Sequence, residues 1–203
     1  MLEVRGSFDQ ALAAARELGR RGTHVLVNSV NPYRIQGQKT AAFEIAEALG
    51  GPPDVLALPY GGGGNTVAYV AGFEELGDGL PRILSTQAEH RSSTVASAIR
   101  IAEPVHQNEV ETAAARHGVE IVTVSDEAIL TAWRELATVE GVFCEPSSAA
   151  GVAALAAQRP APGSRCVCVI TGHGLKDPAT VERSTPPPSP VDPHPDAIAE
   201  AAR

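Results

Sequence analysis

The chain has few aromatic rings: Phe, Trp and Tyr together make up 4% of its 203 residues. Methionine and tryptophan occur once each, cysteine three times, and the only lysines are Lys39 and Lys176. Basic residues number 16 against 24 acidic ones, a formal charge of −8. Nucleic-acid surfaces need basic stripes and stacking rings, so this balance argues against a nucleic-acid partner. No stretch approaches the roughly eighteen apolar residues of a membrane span. The start, Met1-Leu2-Glu3-Val4-Arg5, lacks the basic end and apolar run of a secretory signal. An odd cysteine count does not read as a disulfide framework. The expectation is a cytoplasmic globular protein with no membrane partner. What the chain has in quantity is alanine, 33 residues of the 203, which implies small side chains and closely approaching helices.

Short apolar runs alternate with segments of helical period. The pattern predicts strands over 23–28, 54–59, 82–86, 120–124, 142–145 and 165–171, rich in Val, Ile, Leu and Cys as strands covered on both faces are. Phe8, Leu12, Ala15 and Leu18 fall on one helical face, as do Ala42, Ile45, Ala46 and Leu49, and again Ile129, Trp133, Leu136 and Ala137. Ser125 before Asp126 and Glu127 marks a helix start. The fold class expected is α/β, a layered, mostly parallel sheet with helices on both faces. Residues 1–183 form its body. From 184 the composition turns to Ser, Thr and Pro, an extended tail over 184–203 with a short helix from Asp196.

Three loops carry the chemistry. Gly61, Gly62, Gly63, Gly64 and Asn65 follow the strand at 54–59 and precede a helix-compatible stretch. Consecutive glycines let backbone N–H groups form one concavity, and at a helix start they make an anion cradle. The absence of Lys-Ser/Thr after them excludes a nucleotide P-loop. A second loop, Asn28-Ser29-Val30-Asn31-Pro32-Tyr33-Arg34, ends the strand at 23–28. Ser29 and Arg34 could converge on a phosphate there, but on chemistry alone a capped turn at Asn31-Pro32, with Arg34 a solvated charge, is slightly favoured. The third, Thr171-Gly172-His173-Gly174-Leu175-Lys176-Asp177, ends the last strand with a hydroxyl and two glycines. Cys166 and Cys168 share a strand face, but no second Cys or His pair completes a metal site, so both read as core residues. Cys144 has no base beside it.

With these loops the chain resembles the threonine synthases, among the fold type II pyridoxal-phosphate enzymes. The resemblance covers nearly everything before the tail and is most specific over 28–40, over Phe143-Cys144-Glu145-Pro146-Ser147-Ser148 and over 171–177. It implies conversion of O-phospho-L-homoserine and water to L-threonine and phosphate, with pyridoxal 5'-phosphate as cofactor. It also implies that the amides of Gly61, Gly62, Gly63, Gly64 and Asn65 hold the cofactor phosphate and that Thr171 meets the ring nitrogen. Asn28, Ser29 and Arg34 are implied for the substrate phosphate. Four glycines before Asn65 depart from the family loop and are typical of the related threonine/serine dehydratases, which makes a dehydratase-like lyase the alternative. In the family the Schiff-base lysine lies in an N-terminal segment with no counterpart among these residues. The expectation is therefore the carboxy-terminal part of such an enzyme, with no catalytic lysine of its own. It would be inactive alone and partnered by a separate N-terminal fragment or by copies of itself. A non-catalytic remnant binding cofactor, phosphate or a protein is the third reading.

Overall fold

Proline and short polar side chains set the helix starts. The computed structural model describes residues 4–6, 8–27, 30–185, 187 and 189–201. In chain order the first elements are α1 (Phe8–Arg20), α2 (Pro32–Gln38), α3 (Thr40–Leu49), β1 (Val55–Pro59), α4 (Gly64–Leu76) and β2 (Arg82–Ala88). They are followed by α5 (Gln107–His117), β3 (Glu120–Val124), α6 (Asp126–Thr138), α7 (Pro146–Gln158), β4 (Cys166–Cys168), α8 (Pro178–Ser184) and α9 (Pro195–Ala201). Asn31 caps α2 by accepting from the Tyr33 amide at 3.0 Å, with Pro32 preset for the first turn. Ser125 caps α6 through the Ala128 amide at 3.2 Å.

The four strands form one parallel sheet in the order β3-β2-β1-β4. Every residue of β1 is buried. Its alternation sends Val55 and Ala57 into one core, with Trp133 and Ala150 of α6 and α7. Leu56 and Leu58 enter the other, with Ala46, Phe73 and Ala113 of α3, α4 and α5. Helices therefore cover both faces, which is why these strands read as continuous apolar runs. The alanine content has a direct use here. A Cβ on Gly151 of α7 would stand 3.2 Å from the Ala57 backbone and 3.1 Å from Cys168 Sγ, so α7 lies against β1 with only small residues between.

Several of the sequence expectations change. The described part of 23–28 is not a strand: Val25 and Val27 are 85% and 73% exposed. Among the described residues the Val-Leu-Val run has no ladder partner. Instead Leu26 turns back on α1, where a Cβ on Gly19 would lie 3.1 Å from its Cγ. Residues 142–145 supply only an antiparallel bridge, Cys144 to His173. The last strand is shorter than 165–171, because beyond Val169, whose amide still bonds Ala57 at 2.9 Å, the chain leaves the sheet toward that bridge. Cys168 is partly buried, its thiol pushed up to about 12 by burial and then by Cys166, whereas Cys166 is exposed at the sheet edge and is not a core residue. Among the described residues no helix is long and apolar enough to cross a membrane.

Candidate functional site

Open parallel sheets bind ligands beyond the carboxyl ends of their strands. A cleft of about 330 Å³ opens there, past β1 and its neighbour β4. One wall is the glycine loop leading into α4. Gly63 has φ +89°, and a Cβ on it would stand 2.9 Å from Val110 Cγ2, so only glycine fits. The first amides of a helix have no intrahelical acceptor, and the residues that carry them here, Gly64 and Asn65, line the cleft. The loop's carbonyls are tied back on the other side. The Gly62 carbonyl accepts from the His106 amide at 2.9 Å, and the Gly61 carbonyl from Arg91 Nη2 at 2.6 Å. Arg91 also donates to the Ile101 carbonyl at 3.0 Å and to Gln87 at 2.6 Å, and its guanidinium stacks 4.5 Å over the Tyr60 ring. Burial pulls its pKa below the ordinary arginine value, against the opposing pull of Tyr60. The loop is thus held rigidly, with a positive charge behind it.

The far end of the cleft is built from the bridge between residues 143–145 and 172–174. The Glu145 amide donates to the Gly172 carbonyl at 2.8 Å, and the Gly174 amide to Phe143 at 3.1 Å. Pro146 then starts α7 and brings in the fully buried Ser148. Ser148 Oγ accepts the amides of Thr171 and Gly172, each at 3.0 Å, and lies 2.9 Å from Thr171 Oγ1. The Thr171 hydroxyl donates to Glu145 Oε1 at 3.3 Å, and Lys176 Nζ donates to the same oxygen at 3.1 Å. Glu145 is only 2% exposed, so the lysine matches a carboxylate that would otherwise be buried unpaired.

Of the residues singled out in sequence, Gly61, Gly62, Gly63, Gly64, Asn65, Thr171 and Arg34 line this one cleft. Asn28 and Ser29 lie outside the described residues. His173 caps a short helical turn by accepting from the Leu175 amide at 3.2 Å and is edge-on to Phe143. Glu145, Ser147 and Ser148 lie in a string that carries the family resemblance but were given no role there, and Arg91 carries no signal of a site in sequence. A single acid before a proline, two serines in an alanine-rich helix and a surface-type arginine look ordinary until the fold places them. Lys39 is held by Glu75 at 2.5 Å and is not among the residues lining the cleft, unlike Lys176. Among the described residues no group of His, Cys, Asp and Glu could hold a metal ion.

A family model described as pyridoxal-phosphate dependent enzyme matches residues 1–172. The chain belongs to that family. Within it, the chain is 46% identical over 199 residues to a threonine synthase of Halalkalibacterium halodurans, covering 89% of this chain and 56% of that protein. A threonine synthase of Synechocystis is 46% identical over 197 residues, covering 88% of this chain and 51% of that one. The chain thus spans little more than half the length of these relatives. Two solved structures share the fold. A mutant O-ureido-L-serine synthase, with O-ureido-L-serine bound, has a TM-score of 0.71 at 18% identity over 97% of this chain and 62% of that one. The cysteine synthase of Entamoeba histolytica has a TM-score of 0.70 at 16% identity over 89% and 55%. The family's cofactor suits the residues present: a glycine cradle at a helix start for a phosphate, and a hydroxyl across the same cleft for a ring atom.

Proposed function

We propose that the chain supplies the phosphate loop and the ring-nitrogen contact of a threonine synthase, acting on O-phospho-L-homoserine with pyridoxal 5'-phosphate. The observation that carries this is the meeting of residues 61–65, Thr171 and Arg34 in one cleft at the carboxyl ends of adjacent strands. When bound, the cofactor acts as an electron sink for the substrate's carbon centres. The amides of residues 61–65 would receive its phosphate, helped by the positive end of α4. Thr171 would meet the ring nitrogen. Asn28, Ser29 and Arg34 would hold the substrate phosphate, the group that leaves, so that their contacts strengthen as its charge develops. The motif assigns neither Lys39 nor Lys176 to the cofactor's aldehyde. By themselves these residues therefore bind the cofactor weakly and without a covalent bond.

Incubation with pyridoxal phosphate, borohydride reduction and peptide mass mapping test this reading. The expected result is saturable, phosphate-competed binding with no stoichiometric labelling of either lysine. Full labelling of Lys176, together with phosphate release from phosphohomoserine, would show a self-sufficient enzyme. The four glycines before Asn65 favour a second reading, a dehydratase-like lyase acting on an unphosphorylated hydroxy amino acid. Competition for the cleft by L-serine but not by phosphohomoserine would select it.

A further inference from the structure

Arg91 is a half-buried cation whose partners are all neutral. Its Nη2 donates to the Gly61 carbonyl at 2.6 Å, Nε to the Ile101 carbonyl at 3.0 Å and Nη1 to Gln87 Oε1 at 2.6 Å. The Gln87 amide nitrogen donates in turn to Thr123 Oγ1 at 3.0 Å, which aims its oxygen at the arginine. The ring under the guanidinium is that of Tyr60, whose phenol burial pushes further above its ordinary value and so keeps uncharged. Among the described residues no carboxylate pairs with Arg91. A charge withdrawn from water ordinarily meets an opposite one. Here the opposite charge is left to a ligand, and the space beyond Gly61 is the cleft.

The bond to Gly61 also sets a direction. Among the described residues no peptide bond is cis, and in a planar trans peptide the carbonyl of one residue and the N–H of the next point opposite ways. With the Gly61 carbonyl turned to Arg91, the Gly62 N–H faces away from it. Gly61 and Gly62 line the cleft, and Arg91 is not among the lining residues. We propose that Arg91 is a positioning residue for a phosphate monoester in this cleft, turning the Gly62 amide toward the anion and setting a positive charge behind it. The inference rests on the phosphate-loop reading above and deepens it by naming what orients the loop. Two glycines impose little preference on the peptide between them, so the guanidinium decides how that plane lies. Arg91 acts only through the Gly61 carbonyl and through its field.

Pyridoxine 5'-phosphate is the probe, since it lacks the aldehyde and forms no covalent bond with surface amines. Backbone amide resonances of the isotope-labelled chain are followed as it is added, with folding checked by circular dichroism. In the unsubstituted chain the Gly62 amide proton moves downfield on saturation, together with those of Gly64 and Asn65. In Arg91→Met the dissociation constant rises about ten-fold, and the Gly62 proton no longer moves while those of Gly64 and Asn65 still do. Arg91→Lys keeps the charge without the planar fork, so its affinity falls less than that of the methionine variant. A Gly62 proton unmoved in the saturated, unsubstituted chain overturns the proposal, and that measurement decides the matter if neither variant folds. A folded Arg91→Met chain that binds as tightly as the unsubstituted one, with the Gly62 shift intact, also overturns it and leaves Arg91 a structural tie. No saturable binding by the folded, unsubstituted chain overturns the phosphate-loop reading and this inference with it.

Discussion

Arg34 stands exposed on the rim of the cleft, on the short helix that Asn31 and Pro32 begin. A guanidinium in that setting makes a charge-assisted contact that water partly screens, so its value is nearer about 1.5 kcal/mol than the several of a buried pair. Arg34→Ala should therefore weaken binding of O-phospho-L-homoserine to the pyridoxal-phosphate-loaded chain about ten-fold while leaving cofactor affinity unchanged. Isothermal calorimetry with each ligand separates the two, and an equal loss for both would show that Arg34 only shapes the turn. The glycine loop gives a sharper contrast. Gly63→Ala must adopt φ +89° and displace Val110, at a cost of roughly 1–3 kcal/mol. A Cβ on Gly62 meets nothing nearer than Ile101 Cδ1 at 3.9 Å. The urea midpoint should fall for Gly63→Ala and barely move for Gly62→Ala. The run of four glycines was legible in sequence as a loop between a buried strand and a helix, but which of them the backbone requires was not, because φ and the position of Val110 belong to the fold.

Among the elements, those with one dominant signal were read well. β3 occupies the 120–124 expected of it, and β1 begins one residue inside its expected range. α6 carries both its stripe and its Ser125 cap. α7 was missed for a physical reason. All but one of its residues from Pro146 to Ala154 are buried, so it lacks the polar face that makes a helical stripe visible. The segment at 23–27 was misread because an apolar triplet makes a strand only beside another strand. α8 shows how a small element ties the site together. Its cap, Asp177, accepts from Ser97 Oγ at 2.6 Å and from the Thr180 amide at 3.2 Å, linking the loop beyond Thr171 to the cleft wall at Ala98 and Ile99. Burial pushes this carboxyl up, but the bonds from Ser97 and Thr180 outweigh it and hold it below the usual aspartate value. A depressed folded pKa contributes stability that is full above the unfolded value near about 3.9 and is lost as pH falls through the folded one. Asp177→Asn should thus destabilise the chain by about 1 kcal/mol at neutral pH, with the difference shrinking in acid. Urea unfolding at two pH values measures it; a pH-independent difference would mean that the charge is irrelevant.

For the whole molecule, the expected outcome is a folded α/β unit that binds its cofactor without turning over phosphohomoserine. A continuous phosphate-release assay on the 203 residues tests this directly, and multiple turnovers would refute it. The surface fits a unit whose cleft is open: Tyr33 beside Arg34 is 81% exposed and Leu175 beside Lys176 is 74% exposed. By itself the sequence determined the fold class, the places of β1, β2 and β3, and the loops at 61–65 and 171–177 that line the cleft. Each of these is written in local chemistry: apolar runs bounded by turns, glycines before a helix, a hydroxyl after a strand. Only the tertiary structure decided which side chains stand behind those loops. Arg91 beneath Gly61, Ser148 beneath Thr171 and Lys176 on Glu145 are separated in the chain by 30, 23 and 31 positions respectively. Their pairing follows from adjacent parallel strands delivering distant loops to one end of the sheet. There a buried carbonyl, amide or carboxylate must find whatever partner the packing brings within hydrogen-bonding distance.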